Sequence, residues 1–316
     1  MGVVAPPGAG SSSAALEAPS LGLAPRTRQL LGDYVELTKP KVQSLLLLTT
    51  IATMYVAGDP SIALVALTCL GGYLSAGGAG AVNHWYDRDI DARMARTANR
   101  PVPSGRVAPA AALAFGCTLA ALSFLELSLT VNVLAASLSF AGFLGYVLLY
   151  TVWLKRRTPQ NIVIGGAAGA VPPLVGWAAV TGSVSGTAVL LFFIVFFWTP
   201  PHFWALSLLM KDEYAKVDVP MLPVVRGEVE TRRQILLYTV LLYAVTQLPF
   251  CAGGFGDIYL VASIALGLGF IAGAVRLYRS AGRSRTIGRR SALQLYLYSL
   301  AYLALLFCAM VADAHL

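Results

Sequence analysis

Apolar positions in this chain run in long blocks rather than alternating with polar ones. Charge-free stretches occupy 42–58, 61–82, 107–125, 127–154, 158–210, 234–256, 258–275 and 291–312. A helix that crosses the ~30 Å hydrocarbon core of a bilayer needs about 20 apolar residues. Seven of the stretches are one crossing each, and 158–210 is two, divided at the Thr181-Gly182-Ser183 turn. The pattern predicts an all-α, polytopic membrane protein with nine transmembrane helices. A composition of 57% hydrophobic and 12% charged residues agrees with this and excludes a soluble α/β enzyme.

The polar positions give the helices a direction. All 23 Lys and Arg residues fall in the N-terminal region (Arg26, Arg28, Lys39, Lys41) or in four alternate loops, 83–106, 155–157, 211–233 and 276–290. Under the positive-inside rule the N-terminus is cytoplasmic and the C-terminus periplasmic. The formal charge of +8 then faces anionic lipid headgroups, and nucleic acid is not expected as a partner. Residues 1–25 hold no Lys or Arg and are rich in Ala, Ser, Gly and Pro, unlike a secretory or transit signal. The chain reads as a disordered cytoplasmic tail over 1–30 and one membrane domain over 31–316, with a bacterial inner membrane as its address. Cys69, Cys117, Cys251 and Cys308 each lie in an apolar stretch without a metal-binding spacing and read as small buried hydrophobes.

Exterior connections are short, whereas the loops 83–106 and 211–233 are long and mixed in charge, the usual mark of function in an economical bundle. Both follow an even-numbered helix, which suggests a four-helix unit used twice with a ninth helix added. Glycines in the second and fifth helices predict close helix packing, and Pro172-Pro173 predicts a break in the fifth.

The first long loop opens with Asn83-His84-Trp85-Tyr86-Asp87-Arg88-Asp89-Ile90-Asp91. If the second helix continues through it, Asn83, Asp87 and Asp91 step only about 40° around the axis at each interval of four and share one face. Asp89 falls on the other side, where Arg88, Arg93 or water can satisfy it. Two carboxylates and an amide oxygen are hard ligands suited to Mg²⁺ bridging a diphosphate. Arg93, Arg96, Thr97, Arg100 and Pro101 follow directly, and Lys155-Arg156-Arg157 ends the fourth helix at the same rim. Arg96, Arg100 and Lys155 are the candidate diphosphate-binding cations, since guanidinium forks hold phosphate oxygens in pairs. His202, in Thr199-Pro200-Pro201-His202-Phe203-Trp204, lies about two turns inside the rim set by Lys211. The aromatic residues around it read first as lipid-facing bulk or an interfacial belt.

These blocks, together with Tyr150-Thr151, Thr158-Pro159-Gln160-Asn161, the glycine-rich run before Pro172-Pro173 and Val219-Pro220-Met221-Leu222-Pro223, resemble the UbiA superfamily of intramembrane prenyltransferases, in particular its haem-using branch. The resemblance covers about 33–312 and implies a UbiA-type bundle with its active site on the cytoplasmic side. It implies that farnesyl diphosphate and haem b are joined to give haem O for terminal oxidases. Mg²⁺ is the implied cofactor, held by Asn83, Asp87, Asp91 and Asp212, and haem is a substrate. Haem A synthase or oxidase assembly factors are the implied downstream protein partners. Lys216 joins the implied diphosphate contacts, and His202 or His84 the haem contacts. One departure stands out: the superfamily's second acidic element is usually Asp-x-x-x-Asp, and four residues after Asp212 comes Lys216. That leaves the number of Mg²⁺ ions open. A UbiA-type enzyme acting on an aromatic acid or quinone precursor is the alternative. A transporter would place ionisable groups at mid-membrane, whereas here every Asp, Lys and Arg maps to a rim.

Overall fold

The computed structural model describes Gly2 and residues 23–282 and 285–316. The tail expected at 1–30 therefore lies largely outside the described residues, and its end, 23–30, is helical, opening α1 (Leu23–Leu37). Among the described residues every regular element is a helix. After α1 come α2 (Pro40–Ala57), α3 (Ile62–Tyr86), the short α4 (Arg88–Arg93), α5 (Pro109–Thr130) and α6 (Val133–Leu144). The last runs without a break into a π-helical segment, Gly145–Leu154. Then follow α7 (Asn161–Gly169), α8 (Pro172–Thr181), α9 (Gly186–Leu209), the short α10 (Lys211–Lys216) and α11 (Leu222–Val225), α12 (Gly227–Cys251), α13 (Asp257–Arg279) and α14 (Arg285–His315).

Among the described residues eight helical segments are long and apolar enough to cross a membrane, α6 counting with its π extension and α7 with α8. The other expected crossing is α2, which has 18 residues and spends Lys41 and Gln43 in its first turn, and it does not reach that measure. The long uncharged stretch divides where expected: α8 stops at Thr181, Gly182 takes a left-handed conformation (φ 65°), and α9 starts at Gly186. Pro172 and Pro173 lack the amide hydrogens an uninterrupted helix requires, and they begin α8 after the chain leaves α7.

The helices pack in a closed circuit. α3 lies against α5, α5 against α6, the π segment against α7, and α7 against α9. The circuit continues through α12, α13 and α14, and α14 returns to α2, which packs on α3 and α8. Small residues allow close crossings. A methyl on Gly78 would stand 2.6 Å from the Gly116 carbonyl oxygen, and one on Gly116 would stand 2.8 Å from that of Gly78. Only glycine permits α3 and α5 to approach this far. The cysteines are free, but Cys117, Cys251 and Cys308 are exposed on the outer surface rather than buried. An apolar thiol there meets lipid, so its polarity gives no reason to turn inward.

Candidate active site

The second helix pauses where its carboxylates begin. Asp87 leaves helical geometry (φ −87°, ψ 4°) between α3 and α4, yet the Asp87 amide donates to the Asn83 carbonyl at 2.9 Å and the Asp91 amide to that of Asp87 at 2.8 Å. The four-residue register therefore survives the pause. Asn83, Asp87 and Asp91 are 3%, 0% and 3% exposed, while the Asp89 side chain between them remains 57% exposed.

Cations from three other segments converge on this face. Lys155, directly after the π segment, pairs with Asp87 Oδ2, and Arg100 Nη1 donates to Asp91 Oδ2 at 2.6 Å. Thr97 makes the second contact possible, because its hydroxyl donates to the Asp91 carbonyl (2.9 Å) and folds the loop back. Lys39 Nζ donates to Asn83 Oδ1 at 2.6 Å, and the Asn83 amide donates to Asp87 Oδ2 (2.7 Å) and Thr151 Oγ1 (3.2 Å). Burial, with Arg100 and Lys155 nearby, pushes the Lys39 amine down to about 7. Crowded cations around buried carboxylates favour the arrival of an anion, which relieves their mutual repulsion.

Asp89 is satisfied by Arg156, not by Arg88 or Arg93. The guanidinium grips both carboxylate oxygens at 2.7 and 2.6 Å and reaches Asp87 Oδ1 at 3.4 Å. This bidentate bond holds the Asp89 carboxyl below its usual range and raises Arg156 in turn. The i→i−5 bonding of the π segment continues to Lys155, whose amide donates to the Tyr150 carbonyl at 2.9 Å, and it delivers Lys155 and Arg156 together.

The oxygen set Asn83 Oδ1, Asp87 and Asp91 is hard, buried and on one face. Among the described residues no three carboxylate, imidazole or thiol groups converge as a self-sufficient metal cage. Two carboxylates and an amide instead fit Mg²⁺, which characteristically shares its coordination between a few protein oxygens and substrate phosphates.

Other expected site residues lie elsewhere. Arg96 is exposed and makes no ion pair among the described residues. Asp212 is exposed and lines a cavity of about 320 Å³ with Lys211, Glu228, Arg232 and Arg289, whose walls include none of Asn83, Asp87 and Asp91. Its neighbour Glu213 takes the bridging position instead, accepting from the Ala95 amide at 2.9 Å and so tying the second long loop to the first. Lys216 is exposed and spends its charge on Glu213 at 2.6 Å. From sequence Arg156 is one of three rim cations of which Lys155 is the best placed, and Lys39 has no assigned role. A lysine directly before a proline at the rim was the available sign, since Pro40 disfavours right-handed helical geometry at Lys39, which stands outside α2 in a left-handed conformation (φ 55°).

The two histidines occupy different surroundings. His84 is 2% exposed beside Asn83, and its Nδ1 has no partner. His202 is buried between α9 and α14, stacked on Trp198 (4.3 Å) and Tyr296 (4.8 Å), with Nδ1 at 2.7 Å from Ser299 Oγ. Trp198 and Trp204 are buried as well, so these rings are core and not an interfacial belt.

Fold and site together define a polytopic helical-bundle membrane protein with a buried carboxylate–cation face at one end. The chain belongs to the UbiA prenyltransferase family, whose model matches residues 46–300. It is 54% identical over 291 residues to a protoheme IX farnesyltransferase of Chloroflexus aurantiacus, covering 92% of this chain and 49% of that one. The chain thus spans about half the length of that relative. With the protoheme IX farnesyltransferase of Symbiobacterium thermophilum it shares 53% identity over 90% of this chain and 95% of that one. The fold is also that of a digeranylgeranylglyceryl phosphate synthase (TM-score 0.74, 20% identity, covering 90% of this chain and 99% of that one). A UbiA homologue from Archaeoglobus fulgidus, solved with DMAPP and Mg²⁺, superposes with a TM-score of 0.65 at 15% identity, over 88% of this chain and 99% of that one.

Proposed function

We propose that the chain transfers the farnesyl group of farnesyl diphosphate to a vinyl group of haem b, with addition of water, giving haem O. The observation that carries the diphosphate half is the buried Asn83–Asp87–Asp91 face with Lys39, Arg100, Lys155 and Arg156 drawn onto it. The acceptor half is supported by the activity named for the relatives that are identical to it at more than half of the aligned positions.

Asn83, Asp87 and Asp91 would hold Mg²⁺, which supplies Lewis-acid neutralisation of the leaving diphosphate. The carboxylates keep Lys155 and Arg100 poised at the face before substrate arrives. On binding, these cations can pass from carboxylate to phosphate oxygens without leaving the site. Lys39, released from Asn83 Oδ1, adds a further positive charge as the allylic C–O bond breaks. The farnesyl carbon then bonds to the terminal vinyl carbon of the acceptor. Water captures the cation left beside the porphyrin and gives up its proton to solvent.

This reading places the site at the cytoplasmic rim of a bacterial inner membrane, with α2 as the ninth crossing. A reporter fused after Leu316 should behave as periplasmic and one inserted near Gly105 as cytoplasmic; both on the same side would refute the odd number of crossings between those two points. The acceptor is tested by supplying the membrane-embedded protein with Mg²⁺, farnesyl diphosphate and either haem b or hydroxybenzoate. Mass spectrometry should find a farnesylated, hydrated haem. A prenylated benzoate with haem untouched would transfer the assignment to the aromatic-acceptor class.

A further inference from the structure

We infer that Ser299 fixes the tautomer of His202 so that its Nε2 presents a bare lone pair, and that this nitrogen ligates the iron of the haem acceptor. The inference rests on the reading above for the identity of the acceptor.

The Ser299 hydrogen is assigned to its shorter contact. A serine hydroxyl has a single hydrogen. Ser299 Oγ donates it to the Tyr296 carbonyl, one turn back on α14, at 2.6 Å. The 2.7 Å contact between Ser299 Oγ and His202 Nδ1 therefore needs its proton from the imidazole. A neutral ring protonated at Nδ1 carries its lone pair on Nε2. That nitrogen has no hydrogen-bond partner among the described residues, although the residue is only 7% exposed. The nitrogen itself keeps some exposure, so an incoming ligand can reach it.

The ring cannot turn to exchange its nitrogens. Trp198 and Tyr296 stack on it, and the Trp198 indole donates to the Ser299 carbonyl at 2.8 Å, so the residue that sets the tautomer is itself latched to α9. An imidazole whose second N–H is held by an oxygen is the usual form of a metal-ligating histidine. The surroundings also suit the rest of a haem. His202 lies nine residues, about 13 Å of helix, inside the end marked by Lys211. Toward that end, the α14 face of Ser299 and Tyr296 continues through Ala292 and Gly288 into the cavity holding Arg232 and Arg289. Arg232 is buried and pairs with Glu228 through Nη2 at 3.0 Å, and its unpaired Nε leaves a donor suited to a propionate.

The test is a titration of the purified full-length chain in detergent with ferric haem b, read by its Soret band and electron paramagnetic resonance. Wild type should give a histidine-ligated spectrum. His202→Gly should lose that signature and regain it when imidazole is added, a response that a merely structural role would not produce. Ser299→Ala should weaken haem binding by about 10–100-fold, the range typical of lost outer-shell partners, and Ser299→Thr should restore it. Unchanged farnesyl diphosphate binding certifies the fold of each variant. If His202→Gly keeps the wild-type spectrum, or imidazole has no effect, iron ligation by His202 is wrong even where haem is still farnesylated. A wild type that prenylates hydroxybenzoate and neither binds nor farnesylates haem would overturn the acceptor assignment, and this inference with it.

Discussion

The face around Asp87 and the pocket around His202 are built from opposite materials. The first gathers three aspartates and four cations at one end of the bundle, and each ionic contact can be exchanged for a phosphate or a metal. The second is a stack of rings with one serine, neutral and closely packed, in which a single proton is directed. A charged donor substrate needs preorganised countercharge, whereas a planar apolar acceptor needs shape and one well-oriented ligand. One bundle can therefore host two substrates of unlike chemistry by separating the groups that recognise them.

The largest expected effect lies on the charged side. Asp87→Asn or Asp91→Asn should lower turnover by at least ~10²-fold, as removal of one preorganised electrostatic group does, while the protein still inserts in the membrane. Asp89→Asn should lose less than about fivefold, because an exposed ion pair is worth ~1 kcal/mol or less. Equal losses at all three would erase the difference between the buried face and its exposed neighbour. Next in size is Lys155→Met, expected to raise the KM for farnesyl diphosphate by roughly tenfold to a hundredfold, the usual value of a charged hydrogen bond, and to leave that for haem b unchanged. Smaller again is Arg232→Ala. Steady-state kinetics should show a several-fold rise in KM for haem b alone, and a matching rise for farnesyl diphosphate would tie its cavity to the donor.

The two regions also differ in how far the sequence discloses them. Asn83, Asp87 and Asp91 lie on one helix, so a repeat of four was enough to place them on one side, and Asp87's departure from helical geometry did not disturb it. The turn at Gly182 and the break at Pro172 are equally local and fall where residue type requires them. What the chain hides is contact between distant segments. Arg156 reaches Asp89 from 67 residues away, and Ser299 reaches His202 from 97. No spacing rule connects such pairs. The π-helical end of α6 was hidden for a different reason, since an apolar run looks the same whether its amides bond four or five residues back. Asp212 shows the converse: a family pattern nominated it, but the short α10 presents Glu213 to the first loop in its place.

The claim that donor and acceptor are recognised by separate groups is tested most directly by varying each substrate in turn for two variants, Lys155→Met and His202→Gln. The account predicts that the lysine variant raises the KM for farnesyl diphosphate alone and the histidine variant that for haem b alone. If both variants shift the same substrate, or each shifts both equally, the two regions form one undivided site and the account is wrong.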